Sequence, residues 1–102
     1  MTPFRLTPQA VSDIFEIWSH IAEDNMEAAN RVESAIFAAC MLVADGPLRG
    51  QLRTDLTVLP VRFWTIQRYP NYMLVYDPAT SPVQIIRVLH GMRDVTHVLS
   101  AT

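Results

Sequence analysis

The stretch RVLHGMRD, residues 87 to 94, gathers two arginines, a histidine and a glycine at the end of an apolar run. Guanidinium groups bind planar anions, and a histidine beside them has an ordinary pKa near ~6.5, so the set could clamp a phosphate or carboxylate and move a proton. Arg68 stands at the end of another apolar segment and completes a candidate cluster of Arg68, Arg87 and Arg93, with His90 among them. The alternative is structural: Arg87 pairs with an acid such as Asp94 or Asp77 and holds the strand edge, while His90 closes the strand by bonding to backbone and Gly91 lets the chain turn.

Other chemistries find little support. The histidines at 20, 90 and 97 fall on three separate elements without HxxxH, HxH or Cys/His spacing, so no metal site is expected. The three glycines are isolated, which excludes a glycine-rich phosphate loop, and no GxSxG context accompanies a serine. No cofactor is expected. Cys40 is the one cysteine, inside the apolar run AIFAACMLVA; it reads as a small buried side chain rather than a reactive thiol, and a reducing cytoplasm is the expected compartment. That run is ten residues long and the start MTPFRLTPQA lacks a basic region followed by an apolar one, so neither a membrane span nor a signal peptide is expected.

Charge is unevenly placed along the 102 residues. Residues 1 to 45 hold seven acids and two arginines, whereas residues 46 to 102 hold six arginines and three acids. Every cation is an arginine, so a lysine ammonium is unavailable as a proton donor. A net charge of −2 also argues against strong direct binding to nucleic acid, whose affinity comes largely from neutralised phosphates.

The elements that must position these residues fit one domain over 1–102. FRL at 4 to 6 is a short strand. Thr7-Pro8 then reads as an N-cap with proline at the first helical position. Val11, Ile14, Phe15, Trp18, Ile21 and Ala22 form the expected core stripe of the first helix, Trp18 included, with Asp13, Glu16, Ser19, His20 and Glu23 toward solvent. A second helix begins near Met26 or Glu27 with a stripe of Ala29, Val32, Ile36, Ala39 and Val43; its later half is apolar all round, and Gly46-Pro47 stops it, the glycine being available for a left-handed cap. Residues 47 to 60 read as a connecting loop. Three strands follow, at 62 to 68, 72 to 76 and 83 to 89. Alternation on the last puts Val83, Ile85, Arg87 and Leu89 on one face and Gln84, Ile86, Val88 and His90 on the other. The tail from Asp94 reads as a short helix or an unanchored end. The order is β-α-α-β-β-β, an α+β fold with a helical hairpin on one face of a small, mainly antiparallel sheet.

The blocks FRLTPQAVSDIFEIWSHI, AANRV, GPLRGQLRTDL, YPNYMLVYDP and, most specifically, VQIIRVLHGMRD occur in an order that resembles the ParE branch of the ParE/RelE toxin superfamily, from Phe4 to Asp94. The resemblance implies a RelE/ParE-like fold and the toxin of a plasmid-type or chromosomal type II toxin–antitoxin pair, neutralised by a ParD-like antitoxin. It further implies DNA gyrase as the target, trapped on cleaved DNA by protein contact without catalytic residues. RelE-like relatives instead cleave mRNA in the ribosome and commonly end the last strand in Gly-Lys-Arg with a tyrosine six residues beyond the arginine. Here Gly91 and Arg93 match, but Met92 stands at the lysine position and Leu99 at the tyrosine position, so a non-enzymatic gyrase poison is the expectation. Ribosome-dependent cleavage and a toxin-derived binding module without toxicity are the alternatives. The number of aromatic and methionine side chains in so small a domain suggests an apolar groove for the antitoxin, at a position the sequence leaves unknown.

Overall fold

A computed structural model describes residues 3–91. In chain order they form β1 (Phe4–Leu6), α1 (Pro8–Ala22), α2 (Met26–Asp45), β2 (Arg62–Thr65), β3 (Tyr72–Asp77) and β4 (Val83–His90). The sheet runs β1-β4-β3-β2, with β1 parallel to β4 and the other pairs antiparallel. The topology is the one read from the sequence, while β2 is shorter and β3 and β4 each run one residue further than expected.

Both helices start where local chemistry says they should. The Thr7 hydroxyl accepts the Ala10 N–H at 3.0 Å with proline following it, and the Asn25 side chain does the same for Ala28 at 3.0 Å. All five residues of the expected α2 stripe are buried, as is Cys40. Gly46 closes α2 at φ −142°, ψ 81°, not in the left-handed conformation its sequence context suggests.

The orientation of α1 departs from expectation. Its buried residues are Ala10, Asp13 and Ile14, with Ile17 and Ile21 packed against the core, whereas Val11 and Phe15 are 52% and 66% exposed. The helix is thus rotated about one position from the stripe that maximises apolar burial, and this rotation carries Asp13 inward. Trp18 is half-buried at the flank facing α2, where its indole N–H donates to Asn30 Oδ1 at 2.8 Å.

The sheet separates two cores. The larger lies under the helices and contains Ile14, Ile36, Cys40, Leu74, Tyr76, Ile85 and Val88. The smaller holds Val61, Phe63, Met73, Val75 and Leu89, with Leu56 of the connecting loop and Ile86 laid against it. The strict alternation expected for β4 is overturned by a bulge: Tyr76 pairs with Ile85 and Val75 with Arg87, leaving Ile86 as the extra residue. From there the phase shifts by one residue, so that Val88 joins Val83 and Ile85 in the larger core while Leu89 joins the smaller.

The segment between α2 and β2 is more tightly bound than a plain loop. Gln51 exchanges backbone hydrogen bonds with Phe63 at 2.8 and 2.9 Å, making a one-residue strand on the outer edge of β2. The buried Tyr76 hydroxyl donates to Pro47 O at 2.7 Å and accepts the Gly50 N–H at 2.8 Å. A Cβ on Gly50 would lie 2.5 Å from that hydroxyl, so only glycine allows this approach.

Candidate functional site

β1 spans three residues against the eight of β4, so beyond Ile85 the outer edge of β4 has no strand to pair with. The N-terminal half of α1 closes that edge. Thr7 donates its N–H to Ile85 O at 3.1 Å and its hydroxyl to Ile86 O, and two turns later the Asp13 carboxylate accepts the Val88 N–H at 3.0 Å. The same carboxylate takes Arg87 Nε at 2.7 Å and an Arg87 terminal nitrogen at 2.8 Å, a two-point ion pair whose side chains are 11% and 25% exposed. An acid that helical periodicity assigns to solvent therefore acts as a surrogate strand and binds the arginine at the centre of the candidate cluster. Of the acids expected beside Arg87, Asp94 lies outside the described residues and Asp77 forms no ion pair with it; among the described residues the acid that binds it is Asp13.

The remaining candidates separate. His90 is exposed, and its ring centroid lies 4.9 Å from that of Tyr72, its cross-strand partner; this ring contact takes the place of the expected backbone bond among the described residues. Gly91 adopts φ +78°, a conformation that favours glycine, and donates its N–H to Asn71 O at 2.7 Å. Arg93 lies outside the described residues. Arg68 is exposed in the β2–β3 turn, which backbone bonds from Ile66 to Tyr72, Tyr69 to Ile66 and Tyr72 to Tyr69 hold at 2.9–3.0 Å. That turn and the Gly91 end of β4 occupy the same end of the sheet.

A groove of about 670 Å³ lies between α2 and the β2–β3 turn. Ala35, Ala38 and Leu42 form the helix wall, Trp64 and Ile66 the sheet side, and Arg31 and Arg68 stand at its margins. A second hollow of about 150 Å³ lies over the Asp13–Arg87 pair and His90. Sequence reasoning missed Asp13, whose partner is 74 residues away, and Arg31, which belongs to a different element from Arg68. Elsewhere burial pushes the Cys40 thiol up to about 12, outweighing a backbone hydrogen bond that lowers it, so Cys40 is a core residue and not a nucleophile. No group of three or more histidine, cysteine or acidic side chains among the described residues could hold a metal ion, and no described helix is long and apolar enough to cross a membrane.

A two-helix hairpin on one face of a four-stranded mixed sheet, with a short parallel first strand, is the architecture of the small ParE-like toxins. It superposes with a TM-score of 0.72 on a chain of the chromosomal ParDE toxin–antitoxin system from P. aeruginosa, at 20% identity, covering 86% of this chain and 94% of that one. The description "ParE toxin of type II toxin-antitoxin system, parDE" attaches to a family whose model matches residues 4–95, and the chain belongs to that family. No curated protein matches the chain.

Proposed function

We propose that the chain inhibits DNA gyrase by protein–protein contact in the cytoplasm, and that a ParD-type antitoxin holds it inactive. The observation that carries this reading is the way the strand end disposes of its polar groups. Arg87 and His90 line one small hollow, but Asp13 lines it with them and its carboxylate binds the Arg87 guanidinium, while the His90 ring lies against Tyr72, so the hollow presents an anion of its own where a phosphate would have to sit. Met92 and Leu99, where RelE-like ribonucleases carry lysine and tyrosine, point the same way. In this reading Arg68 and Arg93 contact the target, Arg87 positions β4, which precedes Arg93 in the chain, and His90 and Gly91 shape its end.

Purified protein added to gyrase should abolish supercoiling and accumulate cleaved DNA, and Arg68→Ala or Arg93→Ala should weaken this with little change in thermal stability. Intact supercoiling together with mRNA cleavage in a programmed ribosome would replace this reading with the ribonuclease one.

A further inference from the structure

The ion pair that fixes β4 also fixes what α1 shows to solvent. With Asp13 turned inward, Val11 and Phe15 face outward, so apolar side chains stand where polar ones would serve the fold equally well. The hydrogen bond from the Trp18 indole to Asn30 marks the seam between the two helices. Val11 and Phe15 lie seven and three residues before Trp18, and the exposed Phe37 and Met41 lie seven and eleven after Asn30, so all four share the faces that meet at this seam. The helices are joined by the short turn of residues 23–25 and run antiparallel, which puts Val11 level with Phe37. The Phe37 ring is in turn backed by Phe4, at 6.3 Å between ring centroids. The result is an apolar strip across both helices, on the flank of α2 opposite Ala35 and Leu42 of the groove.

The strip is acidic in its middle and at one end. Glu33, half-buried, lies between Asn30 and Phe37 on the same face, and Glu23, Asp24 and Glu27 crowd the hairpin turn. Among the described residues no ion pair engages these four carboxylates, whereas Asp13, Asp45 and Asp55 each hold an arginine. Unneutralised acids along an apolar strip select against two occupants. A second copy of the chain would bring the same acids into contact, and a nucleic acid would bring phosphates. The strip suits a protein segment that carries arginine or lysine beside apolar side chains.

We infer that the outer seam of the α1–α2 hairpin is a docking surface for a basic, apolar segment of DNA gyrase, with apolar side chains against Val11, Phe15, Phe37 and Met41 and a cation against Glu33. The inference rests on the target proposed above. An enzyme that holds DNA presents lysine and arginine to its phosphates, and so carries surface of the complementary sign. The acidic half of the chain thereby takes a part in target recognition that is separate from that of Arg68.

The test measures inhibition of gyrase supercoiling by the full chain, with its affinity for gyrase and for its cognate ParD-type antitoxin. Phe15→Ser, at an exposed position, should leave the melting temperature unchanged and raise the half-inhibitory concentration roughly tenfold at any salt concentration. Glu27→Lys and Glu33→Lys together should weaken inhibition roughly tenfold at low salt, with the loss shrinking at high salt. Arg5→Glu, on an exposed residue whose side chain alternates to the face of β1 opposite Phe4, should inhibit like the parent. Parent-like inhibition by both Phe15→Ser and the double charge variant would overturn the inference while leaving gyrase as the target. Self-association of the chain that Phe15→Ser abolishes, or weakened antitoxin binding with inhibition unchanged, would also overturn it, because the seam then belongs to another partner. Failure of the unaltered chain to bind gyrase would instead overturn the proposed target, and this inference with it.

Discussion

Removing the Asp13 carboxylate tests the central structural claim, that one buried acid replaces a missing strand and fixes the end of β4. Asp13→Ala loses the two-point pair with Arg87 and leaves the Val88 N–H without its acceptor. Breaking a buried ion pair by deleting one partner costs about 3–5 kcal/mol, and the Arg87 side chain, 25% exposed, recovers part of that by turning toward water. The orphaned Val88 N–H adds about 1–3 kcal/mol. A loss of about 3–5 kcal/mol follows, against a total stability of roughly 5–15 kcal/mol for a domain of this size, so the variant should be marginal. Asp13→Asn keeps an acceptor for Val88 and loses only the charge, and should cost about 1.5–3 kcal/mol. Arg87→Ala leaves Asp13 still bonded to Val88 and should cost about 2–3 kcal/mol. Urea denaturation followed by Trp fluorescence and circular dichroism gives all three values, and the Asp13→Ala/Arg87→Ala double variant closes a cycle whose coupling should be about 1–3 kcal/mol. Asp13→Ala within about 0.5 kcal/mol of the parent, or a coupling near zero, would refute the reasoning.

The packing of Tyr76, Cys40 and Trp18 sets further outcomes. Tyr76→Phe strands the Gly50 N–H and the Pro47 carbonyl, and should cost about 1.5–3 kcal/mol in the same assay. Burial raises the Tyr76 phenol above its ordinary 10.0, so the stability it lends is complete below pH 10 and fades as pH rises through the higher folded value; Tyr76→Phe should flatten that alkaline decline. Burial likewise raises Cys40 from 9.0 to about 12, so its contribution should wane between those pH values, and the folded protein should resist a thiol reagent at pH 8 that labels it promptly in urea. Trp18→Ala should cost about 1–2 kcal/mol, below the ~3–5 kcal/mol of a fully buried aromatic, because Trp18 sits half-buried at the edge of the helical hairpin.

What could be read from the sequence was what short-range chemistry decides. Thr7-Pro8 caps α1 because a hydroxyl three residues from an amide needs nothing else, and the α2 stripe is readable because all its members point at one core. The rotation of α1 was not readable. Neighbouring helical positions differ by about 100°, so a stripe through Val11 and Phe15 and one through Ala10, Asp13 and Ile17 have similar periodicity, and the choice was made by an arginine 74 residues away. The β4 bulge was hidden for a related reason. In VQIIRVLH apolar residues fall on both faces, and inserting Ile86 leaves no gap in the pattern. The sequence suggested an apolar groove without its place, because Arg31 of α2 and Arg68 of the β2–β3 turn belong to separate elements that only the folded chain brings to the margins of one groove.

The fate of the arginines decides how the charge asymmetry is to be understood. An excess of cations after residue 45 could have formed a phosphate-binding face. Instead Arg49 pairs with Asp45, Arg53 with Asp55 and Arg87 with Asp13, and Arg62 donates to the Gly50 carbonyl at 2.8 Å. Four arginines of the basic half are thus engaged in holding the chain to itself. Among the described residues of that half, Arg68 alone remains without an acidic or carbonyl partner, and it stands at the groove margin opposite Arg31 of the acidic half. Two isolated guanidinium groups neutralise too few phosphates to hold a nucleic-acid chain tightly, whereas two such charges flanking an apolar trough can orient a protein segment and reject one of the wrong charge. The distribution of charge in space, more than its distribution along the chain, favours a protein as what this surface recognises.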